Sequence, residues 1–183
     1  MNFLNIFNNK SKKIVKYYDN GNIKNITYKK DGKEHREDGP AYQEWYKNCI
    51  KKKEIYYIKG KHHRENGPAY QGWFENGKKQ IMIYYKNNKM HREDGPAYQS
   101  LLINGNKEED IYYINDMKHK EDGPAIIFWN KYDNMYIEYY CLNDDTYYII
   151  EEWLNELKKI NSPHYEKQKE RYKLIKSIEK YNL

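Results

Sequence analysis

Along the chain, short runs of alternating aromatic or branched and polar residues are broken at regular intervals by Asn-Gly pairs and Gly-Pro steps. Residues 68–75 (PAYQGWFE) and 80–86 (QIMIYYK) show the alternation most cleanly, and a period of two marks strands whose two faces differ. Asn76-Gly77 between them predicts a tight hairpin turn with both turn residues at positive φ. The same block recurs. HREDGPAYQ starts at His35, HRENGPAYQ at His63, HREDGPAYQ at His91 and HKEDGPAI at His119, each 28 residues after the last. Tyr28, Tyr56, Tyr84, Tyr112 and Tyr140 keep this period, as do Trp45, Trp73, Leu101 and Trp129, and Asn20, Asn48, Asn76 and Asn104.

A repeat of this length, made of strand-like runs and turn residues, predicts a mainly β fold: an elongated antiparallel β-meander, one hairpin per 28-residue unit. Ten or so strands at roughly 4.8 Å spacing give a sheet about 45 Å long. The array occupies residues 1–142, with units near 13–34, 35–62, 63–90, 91–118 and 119–142. In 143–183 the period changes. Ile149, Ile150, Trp153, Leu154, Leu157 and Ile160 fall at helical spacing, and Ser162-Pro163 is an N-cap followed by a first-turn proline. Tyr165, Tyr172, Ile175 and Ile178 form a second stripe. The expectation is a C-terminal two-helix cap that closes one end of the sheet and packs its first stripe on the last hairpin, making the whole α+β.

Composition changes the picture in one respect. A mean hydropathy of -1.24 and 33% charged residues sit near the disordered class. The 22 tyrosines, within a 16% aromatic share, reverse that reading, because such rings bury large areas when they pack. No stretch nears the roughly 20 apolar residues of a membrane span, and MNFLNIFNNKSKK has its apolar part before its lysines, the reverse of a secretory signal. A soluble, cytoplasmic protein is expected, with Cys49 and Cys141 matching no metal spacing.

The tetrad His-Arg-Glu-Asp contains every residue type an acid–base site uses. Its repetition argues the other way, since a catalytic centre needs one constellation in one cleft. His35, Arg36, His63, Arg64, His91, Arg92 and His119 are therefore read as the structural motif of the repeat, with Arg and the acidic pair bridging successive turns and His packing over a neighbouring ring. Histidines two strands apart lie near 10 Å from one another, too far to share an ion whose bonds are about 2 Å. No enzyme, cofactor or metal is expected.

The paired tyrosines before Asn-Gly (Tyr17-Tyr18-Asp19-Asn20-Gly21) and the segment Tyr28-Lys29-Lys30-Asp31-Gly32-Lys33 resemble the membrane occupation and recognition nexus (MORN) repeat. The HREDGPA extension is similar to uncharacterised repeat proteins of giant viruses and large phages. The resemblance covers about 130 of the 183 residues and implies the elongated β-meander. The unit is longer than the usual one, and HREDGPA replaces its paired-glycine element, so lipid binding is not carried over. A viral member of this class would act in the host cytoplasm.

Charge is distributed unevenly. Residues 1–90 hold 20 Lys and Arg against 9 Asp and Glu, 91–142 hold 5 against 10, and 143–183 hold 8 against 8. The array is basic at one end and acidic at the other, matching a partner or second copy of like polarity. Three functions follow as expectations: a scaffold that binds a protein through exposed rings, nucleic-acid or anionic-surface binding through the basic N-terminal half, and an immunity or antitoxin role. The first is favoured, because arginine is scarce and Arg36, Arg64 and Arg92 stand beside acidic residues. Alternation along PAYQEWY puts Tyr42, Glu44 and Tyr46 on one face and Ala41, Gln43 and Trp45 on the other. The candidate partner-binding residues are Tyr42, Trp45, Tyr46, Tyr70, Trp73, Phe74 and Tyr98.

Overall fold

The computed structural model describes residues 11–129, 136–147 and 150–181. One antiparallel sheet runs through the array, its strands neighbouring one another in chain order: Ser11–Tyr17, Ile23–Lys30, Tyr42–Trp45, Lys51–Ile55, Tyr70–Trp73, Lys79–Ile83, Tyr98–Leu101, Lys107–Ile111, Ile126–Trp129, Tyr136–Leu142 and Asp145–Tyr147. The sheet is an open meander without crossovers, as the short connections dictate. Two helices follow, α1 (Ile150–Lys159) and α2 (Tyr165–Tyr181).

The unit is richer than the single hairpin expected from the Asn-Gly turns. A second, two-residue hairpin follows each long one: Tyr57–Ile58 with Lys61–His62, Tyr85–Lys86 with Lys89–Met90, and Tyr113–Ile114 with Met117–Lys118. Its turn is Asp31-Gly32, Lys59-Gly60, Asn87-Asn88, Asn115-Asp116 or Asn143-Asp144 in successive copies, and both residues of every pair have positive φ. This is the mirror-type turn that matches strand twist. At Asn76-Gly77 only Gly77 is left-handed, with φ +82°. There the Gly77 N–H donates to Phe74 O and the Asn76 side chain accepts the Lys78 N–H at 3.0 Å, so the turn is an ordinary one closed by a glycine bulge. Cys49 stands in the glycine's place one unit earlier, at φ +66°.

Between hairpins, Pro opens the next strand and the following Ala is fully buried at residues 41, 69, 97 and 125. Each of these alanine carbonyls accepts the N–H of Tyr28, Tyr56, Tyr84 or Tyr112 at 2.7 to 2.8 Å. The cap has the one compact apolar cluster among the described residues, with Leu142, Trp153, Leu154 and Leu157 buried against Tyr140, Tyr147, Ile150, Tyr165 and Tyr172. Ile149 of the predicted stripe lies outside the described residues; Ile160 and Ile175 are exposed. Ser162 caps α2 as its position suggests, accepting the His164 N–H at 3.2 Å while donating to Glu121. No described helix is long and apolar enough to cross a membrane.

Candidate binding face

The two faces of the sheet have separate chemistry, which the register makes explicit. On one face, residues directly opposite one another run Thr27, Tyr42, Ile55, Tyr70, Ile83, Tyr98, Ile111, Ile126, Tyr139. From Tyr42 to Ile111 tyrosine and isoleucine alternate across successive strands, the aromatic and branched pairing that stabilises a pleated surface by roughly 0.2–1 kcal/mol per pair. Tyr57, two residues beyond Ile55, and Tyr85, two beyond Ile83, extend this surface, and the His62 ring sits between them with centroids 4.5 and 4.8 Å away. Burial raises the phenol pKa of Tyr42, Tyr57, Tyr85, Tyr98 and Tyr113 above the ordinary phenol value.

The opposite face carries a polar ladder interrupted by one methionine: Gln43, Glu54, Gln71, Met82, Gln99, Asp110. Gln71 donates to Glu54 at 2.8 Å and Gln99 to Asp110 at 2.9 Å, while Lys51 and Lys107 reach the same two carboxylates at 2.7 and 2.8 Å. Lys51 and Lys107 also lie over the Trp73 and Trp129 rings, at 5.3 and 4.8 Å from the centroids.

The seven candidate contact residues therefore divide. Tyr42, Tyr70 and Tyr98 share the tyrosine face, and Tyr46 joins them near the turn, its ring beneath Lys52 and its hydroxyl donating to Trp73 O at 2.9 Å. Phe74 repeats Tyr46 one unit on, without the hydroxyl. Trp45 and Trp73 stand on the other face. All seven are half-buried.

The His-Arg-Glu-Asp loops are joints, and the bonds they make differ from those expected. The cation, not the imidazole, covers the ring: Arg36, Arg64, Arg92 and Lys120 lie 4.2, 3.9, 4.0 and 3.9 Å from the centroids of Tyr28, Tyr56, Tyr84 and Tyr112. Arg and the acidic residue pair within one loop rather than between turns, Arg36 Nε with Asp38 at 2.7 Å and Arg92 Nε with Asp94 at 2.8 Å. These hydrogen bonds hold the Asp38 and Asp94 carboxyls below the usual range. The glycine leaves room for the guanidinium; a Cβ on Gly95 would stand 2.9 Å from Arg92 Cζ, so the arginine would have to move aside.

Histidine makes the connection between units. Nδ1 of His35, His63, His91 and His119 accepts the N–H of the first residue in the next unit's mirror-type turn, Lys59, Asn87, Asn115 and Asn143, at 3.0 to 3.3 Å. An Nδ1 that accepts a backbone N–H leaves the proton on Nε2, which faces the Glu two residues on at 3.0 to 3.4 Å. Open grooves of 490 and 650 Å³ lie between successive loops, but the imidazole and cation of each wall are already bonded inside it. Sequence reasoning missed these joints, although the 28-residue period of the mirror-type turn pairs was a signal for them.

The fourth loop is finished by the cap. Trp153 packs on Tyr140 with centroids 4.6 Å apart, and Gln168 donates to Asp122 O at 3.0 Å. Helix contacts concentrate on the Tyr136–Leu142 and Asp145–Tyr147 strands. Comparison with protein-family models, curated proteins and solved structures finds no match for this chain.

Proposed function

We propose that this chain is a non-enzymatic scaffold of the MORN-like class, working in the cytoplasm by holding a protein partner against the tyrosine face. The observation that carries the reading is the Tyr42, Tyr70, Tyr98 ladder on a single-layer sheet whose cap helices pack at the far end. Half-buried tyrosines are fixed by their neighbours before a partner arrives, so they offer broad amphipathic contact area at little further cost in ordering. Tyr46 and Phe74 extend the same surface, whereas Trp45 and Trp73 serve the opposite one. The tetrads support a joint rather than a reaction centre, since the imidazole bond to the next turn and the cation over the tyrosine recur in every copy. A viral protein that engages a host component is the setting in which this architecture makes sense of the resemblance.

The test is a triple variant, Tyr42→Ala with Tyr70→Ala and Tyr98→Ala, checked for folding by circular dichroism. Complexes captured by the wild-type chain should persist from roughly 50 to 300 mM salt and be lost by this variant, because aromatic contacts lack the counterion-release term of phosphate binding. Capture that tolerates the triple variant and falls log-linearly with salt would overturn the reading in favour of nucleic acid.

A further inference from the structure

The tyrosine face carries a charge gradient that changes sign about its own centre. In the second strand of each long hairpin, equivalent positions read Lys52, Gln80, Glu108 and Lys53, Ile81, Glu109. Lys53 pairs with Glu44, Ile81 with Gly72 and Glu109 with Ser100 across the adjacent strand, so these positions belong to the row beside the tyrosine ladder. The Lys51–Ile55 and Lys107–Ile111 strands each lie two strands from the Lys79–Ile83 strand, one on either side, so each charged pair sits about 9.6 Å from the middle. The middle is apolar and low. Gly72 is buried, and Ile81 Cγ2 fills the space a side chain there would take, 2.7 Å from an added Cβ.

The acidic pair is also unmatched among the described residues. Lys52 and Lys53 share Glu44 at 2.9 and 3.2 Å. Among the described residues Glu108 and Glu109 have no ion pair, and burial, reinforced by Glu108, pushes the Glu109 carboxyl up.

We propose that the occupant of this face is a second copy of the same chain, packed face to face about a two-fold axis that runs along the Lys79–Ile83 strand. The inference rests on the tyrosine face being a contact surface and names what covers it. A two-fold interface must be self-complementary, so that whatever one side presents at a distance from the axis is met by what lies equally far on the other side. This operation sets Lys52 and Lys53 against Glu108 and Glu109 twice, with Ile81 near the axis and the tyrosine rows on both flanks. Sheets that pack with strands nearly aligned about 10 Å apart have this geometry. An in-register arrangement would instead oppose like charges at both ends.

Sedimentation of the full chain tests this with charge reversals. The wild type should dimerise in a concentration-dependent way. K52E/K53E alone and E108K/E109K alone should each weaken self-association about tenfold or more, since each places like charges opposite one another at both ends. The second of these breaks no ion pair among the described residues, which guards against a folding defect in the first. Mixed together, the two variants should form a one-to-one heterodimer, because a reversed end then meets a reversed end and a native end meets a native end, so that opposite charges face each other at both. A wild type that remains monomeric to hundreds of micromolar, or a mixture that fails to recover the dimer, overturns the second copy. If in that case the triple tyrosine variant still loses a heterologous partner, only the occupant was wrong; if it loses nothing, the contact surface itself falls.

Discussion

At the scale of single residues, the array depends on a cation held between a ring and a glycine. The fourth copy shows what this seat requires, because Lys120 lies 3.9 Å from the Tyr112 centroid where the other copies have Arg. Arg92→Lys should therefore cost less than about 0.5 kcal/mol, whereas Arg92→Ala, which uncovers Tyr84 and leaves the Pro96 carbonyl without its donor at 3.3 Å, should cost about 1–2 kcal/mol. Urea denaturation of both variants measures the difference, and equal losses would show that the cation contributes nothing. The motif's structural character was legible in its repetition. Its partners were not, because the Nδ1 contact spans 24 residues and depends on a turn whose residues vary from Asp-Gly to Asn-Asn while keeping one backbone shape. Composition at those positions drifts; left-handed φ does not.

At the scale of elements, the helical cap closes the array on the last hairpin. Trp153 is fully buried on Tyr140, and its indole nitrogen finds no hydrogen-bond partner among the described residues. Trp153→Ala should lower stability by about 3–5 kcal/mol, and Trp153→Phe by less than about 2 kcal/mol, since the ring is kept and no hydrogen bond is lost. Thermal unfolding followed by circular dichroism checks the order; a phenylalanine variant as weak as the alanine one would mean that the N–H matters after all. Helical spacing announced α1 and its buried Trp153, Leu154 and Leu157 from the sequence. The second hairpin escaped notice because its strands are two residues long, too short for any periodicity to register.

At the scale of the whole molecule, the meander and its direction followed from the 28-residue register, and the division of the faces followed from alternation. What alternation could not supply was the difference between them, because a register row joins residues from units far apart in sequence and only pairing reveals that Tyr42 meets Ile55 and Gln43 meets Glu54. The joints described above have a further consequence. Each transmits the same set of bonds, a histidine to the next turn and a main-chain amide such as that of Arg64 or Arg92 to a tyrosine carbonyl one unit ahead, so no internal unit is chemically privileged. Length is then a heritable variable in its own right: unequal recombination within the gene can lengthen or shorten the ruler without inventing a new interface. In-frame removal of residues 63–90 should yield a folded, cooperative protein shorter by two main strands, about 9.6 Å along the sheet, with its cap intact. Small-angle scattering would register the contraction, and an unfolded product would show that the copies are less interchangeable than their bonds imply.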